Sequence, residues 1–281
     1  MLIKLLALDL DGTLALPKNQ ILTETKKGLN ALHAAGFVTI TIATGRRYRT
    51  TRNLIDNLGF EPWVICNGGA LIKTPLRETF KSETFSATHV AEIARETGLT
   101  IFAQRDSEEK GGADFLIDRS SFWNNVTREH YKNNEAVSEI SDLVSETEKV
   151  LVAGIIGKKE DLEEFSKALN QRFPYQYNTV SVPAFEKPNY YCEITPKRVD
   201  KWTGIKKLLR ELNLAENQVC CVGDELNDLP MISASHHGFA MGNADPRLKA
   251  KAKYTCGDYD KNGILDVLAY IEQTNLRLSS K

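Results

Sequence analysis

Four short segments hold most of the residues able to do chemistry. They are Asp9-Leu10-Asp11-Gly12-Thr13, Thr44-Gly45-Arg46, Asn67-Gly68-Gly69 and Gly223-Asp224-Glu225-Leu226-Asn227-Asp228. Asp9 and Asp11 stand two residues apart, so on an extended chain their side chains point the same way. Carboxylates that close repel, and repulsion raises a pKa. A bound divalent cation would relieve it, leaving one acid ionised as a nucleophile while the other carries a proton. Gly12 lets backbone N–H groups approach an anion closely. Asp224, Asn227 and Asp228 form a second acidic cluster. Hard oxygen ligands of this kind suit Mg²⁺, which keeps waters and bridges to phosphate. Helix capping would account for one of these three residues, not for all of them.

Thr44 offers a hydroxyl and Gly45 a close-approach amide ahead of a helix N-terminus, which is a phosphate cradle. Any strand, Thr-Gly turn and helix would look the same, so the segment is weak evidence alone. Lys201 opens an amphipathic helix, where the helix dipole disfavours a cation. Neutralising a phosphoryl group would give that lysine a reason; solvation is the plain alternative. Asp258-Tyr259-Asp260-Lys261-Asn262-Gly263 matches the first half of a calcium loop, but Ala269 stands where the bidentate carboxylate belongs. A turn starting the last helix is the better reading there.

Each of the four segments follows a short apolar run that reads as a buried strand: residues 3–8, 38–43, 63–66 and 219–222. Helices are expected between them, one capped by Thr23 and stopped by Gly36, one over about 47–58. Later helices should begin at Lys201, near Pro230, at Asp245-Pro246 and near Gly263. Strands alternating with helices predict a parallel sheet covered on both faces. Its carboxyl-end edge would gather the four polar segments at one crevice. The middle of the chain reads differently, with helices at 86–97 and 159–172 and paired strands joined by short turns, an antiparallel α+β unit. Residues 83–190 hold 12 Lys/Arg and 19 Asp/Glu, a net of −7, against +6 for the remainder. The expected organisation is therefore a catalytic α/β core of residues 1–82 and 191–281, interrupted by an α+β domain at 83–190.

The 281 residues suffice for one large or two ordinary domains. A net charge of −1 argues against a dedicated nucleic-acid or membrane-surface protein. No apolar run approaches the roughly 20 residues of a membrane span, and Asp9 and Asp11 interrupt the N-terminal leucines before a secretory signal is complete. The five cysteines include an adjacent pair and no C-x-x-C, which fits buried free thiols in a reducing cytoplasm.

With these segments in place, the chain resembles the haloacid dehalogenase superfamily of phosphohydrolases. D-x-D-G-T at Asp9 to Thr13, Thr44 after the second strand, Lys201 downstream and G-D-x-x-N-D at Gly223 to Asp228 match its four motifs in order. VICNGGALI, ITPKRVDKWTGI, FAMGNADP and NGILDVL are similar to its Cof-type branch, which carries a C2B cap. Lys261-Asn262-Gly263 departs from the Glu-Asp-Gly more usual there. The resemblance implies a Rossmann-like core with an inserted C2B cap that sets substrate specificity. It implies Asp9 as nucleophile, Asp11 as acid and base, and Mg²⁺ held by Asp9, the Asp11 carbonyl and Asp224 with Asp228 in support. Thr44 and Lys201 would hold the phosphoryl oxygens, with Gly12, Gly45 and Asn67 lining the phosphate site, and Asn227 would orient substrate or Lys201.

Three readings follow. The first is a Mg²⁺-dependent phosphatase of small phosphorylated metabolites, sugar phosphates foremost, acting as a monomer or weak homo-oligomer. The second is a phosphomutase resembling the phosphomannomutases, which must hold a second phosphate against a cap of net −7. The third is a non-catalytic phosphometabolite-binding protein, against which every catalytic position is filled. Isomer formation dependent on a bisphosphate would mark the second, and tight binding without turnover the third.

Overall fold

The computed structural model describes residues 2–106, 112–120, 122–145, 149–184 and 188–279. The chain divides into two compact units, Met1–Phe80 with Asp200–Lys281, and Lys81–Val199. The first is built on an eight-stranded sheet in the order Tyr254–Thr255, His237–Ala240, Val219–Gly223, Leu5–Leu8, Thr39–Ala43, Trp63–Cys66, Leu71–Lys73, Thr79–Ser82. The first six of these run parallel, as the alternation of strands and helices predicts. Leu71–Lys73 turns back antiparallel on Trp63–Cys66. Leu5–Leu8 is buried along its whole length, which is why it reads as a continuous apolar run instead of an alternating one.

The chain enters the middle of the sheet at Leu5–Leu8, grows outward on one side, and later returns on the other at Val219–Gly223. Between those two strands lies the topological switch point, where a crevice opens at the carboxyl ends. The register is level there. Leu8 pairs with Val222 on one side and with Ile42 on the other.

Helices cover this sheet. Thr23–Ala35 packs on Ile264–Ser279, and the contact is close enough that a Cβ on Gly28 would lie 2.7 Å from Leu268. Thr23 is the first helical residue and not the cap; Leu22 precedes it in extended conformation. Gly36 ends the helix in the left-handed region, as expected. Lys201–Glu211 packs on Trp63–Cys66, burying Trp202, Ile205, Leu208 and Leu209. The last helix begins at Ile264, beside the expected Gly263, and runs to Ser279.

The second unit carries a six-stranded sheet in the order Tyr177–Pro183, Tyr190–Pro196, Val152–Gly157, Phe102–Gln104, Phe115–Asp118, Ser138–Ser141. Helices Thr88–Glu96 and Lys159–Arg172 pack together. Their Val90, Ile93, Leu162, Phe165 and Leu169 form a core with Leu116, Ile155, Cys192 and Ile194 of the strands. Phe102, Phe115, Ile117 and Ile156 form a second cluster with Trp123, Val126, Tyr131 and Tyr191. Helix Asn125–Asn134 contributes Val126 and Tyr131 to it. The boundary differs from the expected 190/191. Tyr190–Pro196 pairs on both sides with strands of this unit, so it belongs here and not to the first.

The Asn275 side chain ties the last helix to the segment just before the first strand. Buried Asn275 accepts from the Ile3 N–H at 2.8 Å and donates to the Ile3 carbonyl at 3.0 Å. Asn275→Ala would leave both backbone groups buried without those bonds, at a cost of about 1–3 kcal/mol. Guanidinium unfolding should register that loss, while turnover should not change, because Ile3 precedes strand Leu5–Leu8 and Asp9 follows it.

Candidate active site

Asp9 leaves its strand at the switch point. Its N–H donates to the Val222 carbonyl at 2.9 Å, so the ladder holds one residue beyond Leu8 and fixes the Asp9 backbone. The chain then winds tightly, with the N–H groups of Leu14 and Ala15 both directed at the Leu10 carbonyl. Gly12 sits here at φ +76°, and a Cβ on it would fall 2.2 Å from Asp224 Oδ2. Only glycine permits so close an approach of the two acidic loops. Thr13 Oγ1 donates to Asp224 Oδ1 at 2.9 Å and joins them.

The second loop is closed by Asp228. Its Oδ2 accepts from the N–H groups of Asp224 at 2.9 Å and Glu225 at 3.1 Å, and its Oδ1 accepts from Lys201 Nζ at 2.6 Å. Lys201 also donates to Asp9 Oδ1 at 2.5 Å. Asp9, Asp224, Asp228 and Lys201 are all buried, Lys201 at 1% exposure and Asp228 at 0%. The lysine in a first helical turn is thereby explained. Two carboxylates offset the dipole, and Asp200 caps the helix through a reciprocal capping box with Thr203.

Burial, the Asp228 charge and, less strongly, Asp11 push Asp9 up to about 7, with Lys201 pulling the other way. Burial and the charges of Asp9 and Asp228 push Asp224 up to about 9. Burial disfavours the Lys201 ammonium, but Asp228 and Asp9 outweigh it and hold the group above the ordinary lysine range. The Lys201 ammonium thus pairs with two of these three buried acids, Asp9 and Asp228.

One carboxylate oxygen from each of Asp9, Asp224 and Asp228 lies within 4.8 Å of the others. Such an oxygen-only, charge-deficient set fits Mg²⁺. Both Asp228 oxygens already accept hydrogen bonds, one from Lys201 and the other from the backbone of its own loop. The Asp258–Gly263 segment is no such cluster. Lys261 Nζ donates to Asp258 Oδ2 at 2.6 Å, and Thr25 Oγ1 donates to Asn262 Oδ1 at 3.1 Å.

The other expected residues lie around this centre in different states. Asp11 is turned to Arg46, which grips it two-pronged through Nε at 2.7 Å and through Nη2, and also donates to Asn19 Oδ1 at 2.7 Å. Thr44 is buried, and its hydroxyl accepts from the Arg46 N–H at 3.1 Å. Gly45 lies between them in sequence. Asn67 is buried at φ 52°, with its N–H donating to the Arg46 carbonyl at 2.9 Å. Asn227 is half-buried in the Leu226–Asp228 turn. It is not what orients Lys201; Asp9 and Asp228 do that. Sequence reasoning assigned no role to Thr13, Arg46 or Asn243, whose Nδ2 donates to the Gly12 carbonyl at 2.9 Å. All three stood inside quoted motifs, Asn243 within FAMGNADP, and position within a motif was the signal available.

The haloacid dehalogenase-like hydrolase profile matches residues 6–268. The chain belongs to this family. Phosphatase YwpJ of Bacillus subtilis is 25% identical over 293 residues, covering 95% of this chain and 99% of that protein. The HMP-PP phosphatase of Serratia proteamaculans is 25% identical, covering 88% of this chain and 86% of that one. In fold, the HAD subclass IIB sugar phosphatase BT4131 superposes with a TM-score of 0.77 at 22% identity, covering 96% of this chain and 99% of that one. This haloacid dehalogenase-like hydrolase is a phosphatase. Among its described residues, no helix is long and apolar enough to cross a membrane.

Both raised aspartates make the cation-free hydrolase sensitive to pH. A folded-state pKa above the unfolded 3.8 means stability is fully present below that value and is lost as pH rises through about 7 for Asp9 and 9 for Asp224. In chelator, Asp224→Asn should therefore melt several degrees above wild type at pH 8, and the gap should close toward pH 4. Melting curves across that range test it; a gap that does not depend on pH would contradict the assignment.

Proposed function

We propose that this phosphatase hydrolyses phosphomonoesters of small metabolites, sugar phosphates foremost, through an aspartyl-phosphate on Asp9 and with Mg²⁺ as cofactor. One observation carries the reading: Lys201 Nζ bridges Asp9 and Asp228 at 2.5 and 2.6 Å, beside Asp224 at the switch point. A carboxylate held this way has a fixed direction of attack and a cation ready for phosphoryl oxygens.

Asp9 attacks phosphorus, and the bond to the leaving oxygen breaks. Asp11 gives that oxygen a proton, then takes one from the water that cleaves the aspartyl-phosphate. To do so it must leave the Arg46 grip, since both its oxygens are occupied there. Lys201, the Thr44 hydroxyl, Asn67 and the backbone N–H groups near Gly12 and Gly45 hold the phosphoryl oxygens, and Asn227 lies toward the substrate. Asp9, the Asp11 carbonyl and Asp224, with Asp228 in support, would hold Mg²⁺, which would supply charge neutralisation at phosphorus. Positioning and charge complementarity are the main sources of rate.

Residues 83–190 are proposed to select the leaving group. Their net charge of −7 favours a neutral leaving group over one carrying a second phosphate, which supports hydrolysis over mutase chemistry. The names of the HMP-PP phosphatase and the sugar phosphatase agree with small phosphorylated substrates. Five buried free cysteines suit a reducing compartment, so the proposed location is the cytoplasm. The proposed working form is a monomer or weak homo-oligomer, without nucleic-acid or membrane partners.

Phosphate release across a panel of phosphorylated sugars, nucleotides and cofactors is the decisive assay. Asp9→Asn should abolish turnover on every active substrate while the protein stays folded, because an amide of the same size cannot attack phosphorus. Release at near wild-type rate would refute the nucleophile. Chelator should silence the enzyme and Mg²⁺ restore it, with Asp224→Ala weakening the metal dependence more than Asp228→Ala. Full activity in chelator would remove the cation from the mechanism.

A further inference from the structure

The segment after His237–Ala240, Met241-Gly242-Asn243-Ala244-Asp245, takes no part in the chemistry proposed above. It nevertheless binds the Asp224 loop at three points. The Met241 N–H donates to the Gly223 carbonyl at 3.0 Å and the Asp245 N–H to the Asp224 carbonyl at 2.8 Å. Asn243 Nδ2 donates to the Gly12 carbonyl at 2.9 Å and points at Asp224 Oδ2 at 3.4 Å. The orientation of this amide is forced. Its Oδ1 accepts from the Tyr259 N–H at 3.1 Å, and an N–H can only donate. The NH₂ group must then face the two acceptors, the Gly12 carbonyl and the Asp224 carboxylate. The segment is itself anchored, with Gly242 N–H donating to the Gly257 carbonyl at 3.0 Å and no room for a Cβ on Gly242 beside Asp258.

We infer that Asn243 is a positioning residue for the divalent cation, setting the spacing between the loop that carries Asp9 and the loop that carries Asp224. Two ligands on separate loops bind one small ion well only if their separation is fixed before binding. Mg²⁺ makes that demand strongly, because it requires near-ideal geometry. Asn243 spans the gap: one NH₂ group touches both loops, and one carbonyl is pinned by a third. Thr13 fixes Asp224 Oδ1 from the opposite side, so the carboxylate is held at both oxygens. Asn243 acts through Asp224 and Gly12 and touches no reacting atom. The inference rests on the cation reading given under Proposed function.

The test is calorimetric titration of Mn²⁺, without substrate, into wild type and Asn243→Ala. The expected result is a Kd about 10- to 100-fold weaker in the variant, the usual effect of removing a group that orients a metal ligand. The Mg²⁺ concentration for half-maximal phosphate release should rise by a similar factor, while kcat at saturating Mg²⁺ stays near wild type. Asn243 is exposed, so the cation-free melting temperature should barely change. A merely structural role would lower that temperature and leave Mn²⁺ affinity alone. Asn243→Ser gives the same reading should alanine reduce folding. Equal Mn²⁺ affinity in a folded variant and wild type overturns the inference. A wild type that binds no Mn²⁺ overturns the cation reading first, so the two failures are distinct.

Discussion

Lys201 between Asp9 and Asp228 is the interaction on which the rest of the site depends. A buried ammonium with two buried carboxylates is stable only when its geometry is tightly held, since the loss of either partner would leave an uncompensated charge in a low dielectric. The surrounding structure supplies that hold. Asp200 and Thr203 start the helix one residue earlier. Gly69 and Gly204 let the helix lie against the third strand and its turn, where a Cβ on Gly69 would reach 2.0 Å from the Asp200 carbonyl. Asp228 in turn closes the loop that presents Asp224.

The site keeps a deliberate imbalance of charge. Asp224 has hydrogen bonds from Thr13 and Asn243 but no ammonium, and its carboxyl is driven well above the usual range. A perfectly neutralised cluster would be more stable and would offer a cation nothing. The stability lost at neutral pH would be the physical counterpart of the divalent-ion affinity proposed above, a common compromise where function requires a strained or charged site. Asp11 stands apart from this cluster, half-exposed and gripped by Arg46. Asp9, the proposed nucleophile, is buried, while Asp11, the proposed proton carrier, is held by the two-pronged contact with Arg46.

The two units divide their labour by the way they are built. The first draws its candidate site largely from the loops after four of its six parallel strands, so one sheet edge collects residues that are up to 219 positions apart, from Asp9 to Asp228. The second has its own core on an almost wholly antiparallel sheet, with two helices packed together and a separate aromatic cluster. A unit with an independent core can diverge in its surface without disturbing the aspartates.

Much of this was legible in the residues. Buried parallel strands appear as unbroken apolar runs, helix stops as glycines, and the acidic segments as motifs that fall just after strands. These are local signals, carried by a few neighbouring side chains. The boundary at 190/191 failed because Tyr190–Pro196 is an apolar strand that would suit either sheet, and its pairing partners decided the matter. The same limit hid Asn243 and Arg46. Each acts on a residue distant in the chain, Arg46 on Asp11 and Asn243 on Gly12 and Asp224. Residue types and spacing determined which carboxylates could do chemistry and which strands would carry them. Only the tertiary structure decided which cation each carboxylate faces, because that depends on the register of strands and the approach of loops that the chain brings together from opposite ends.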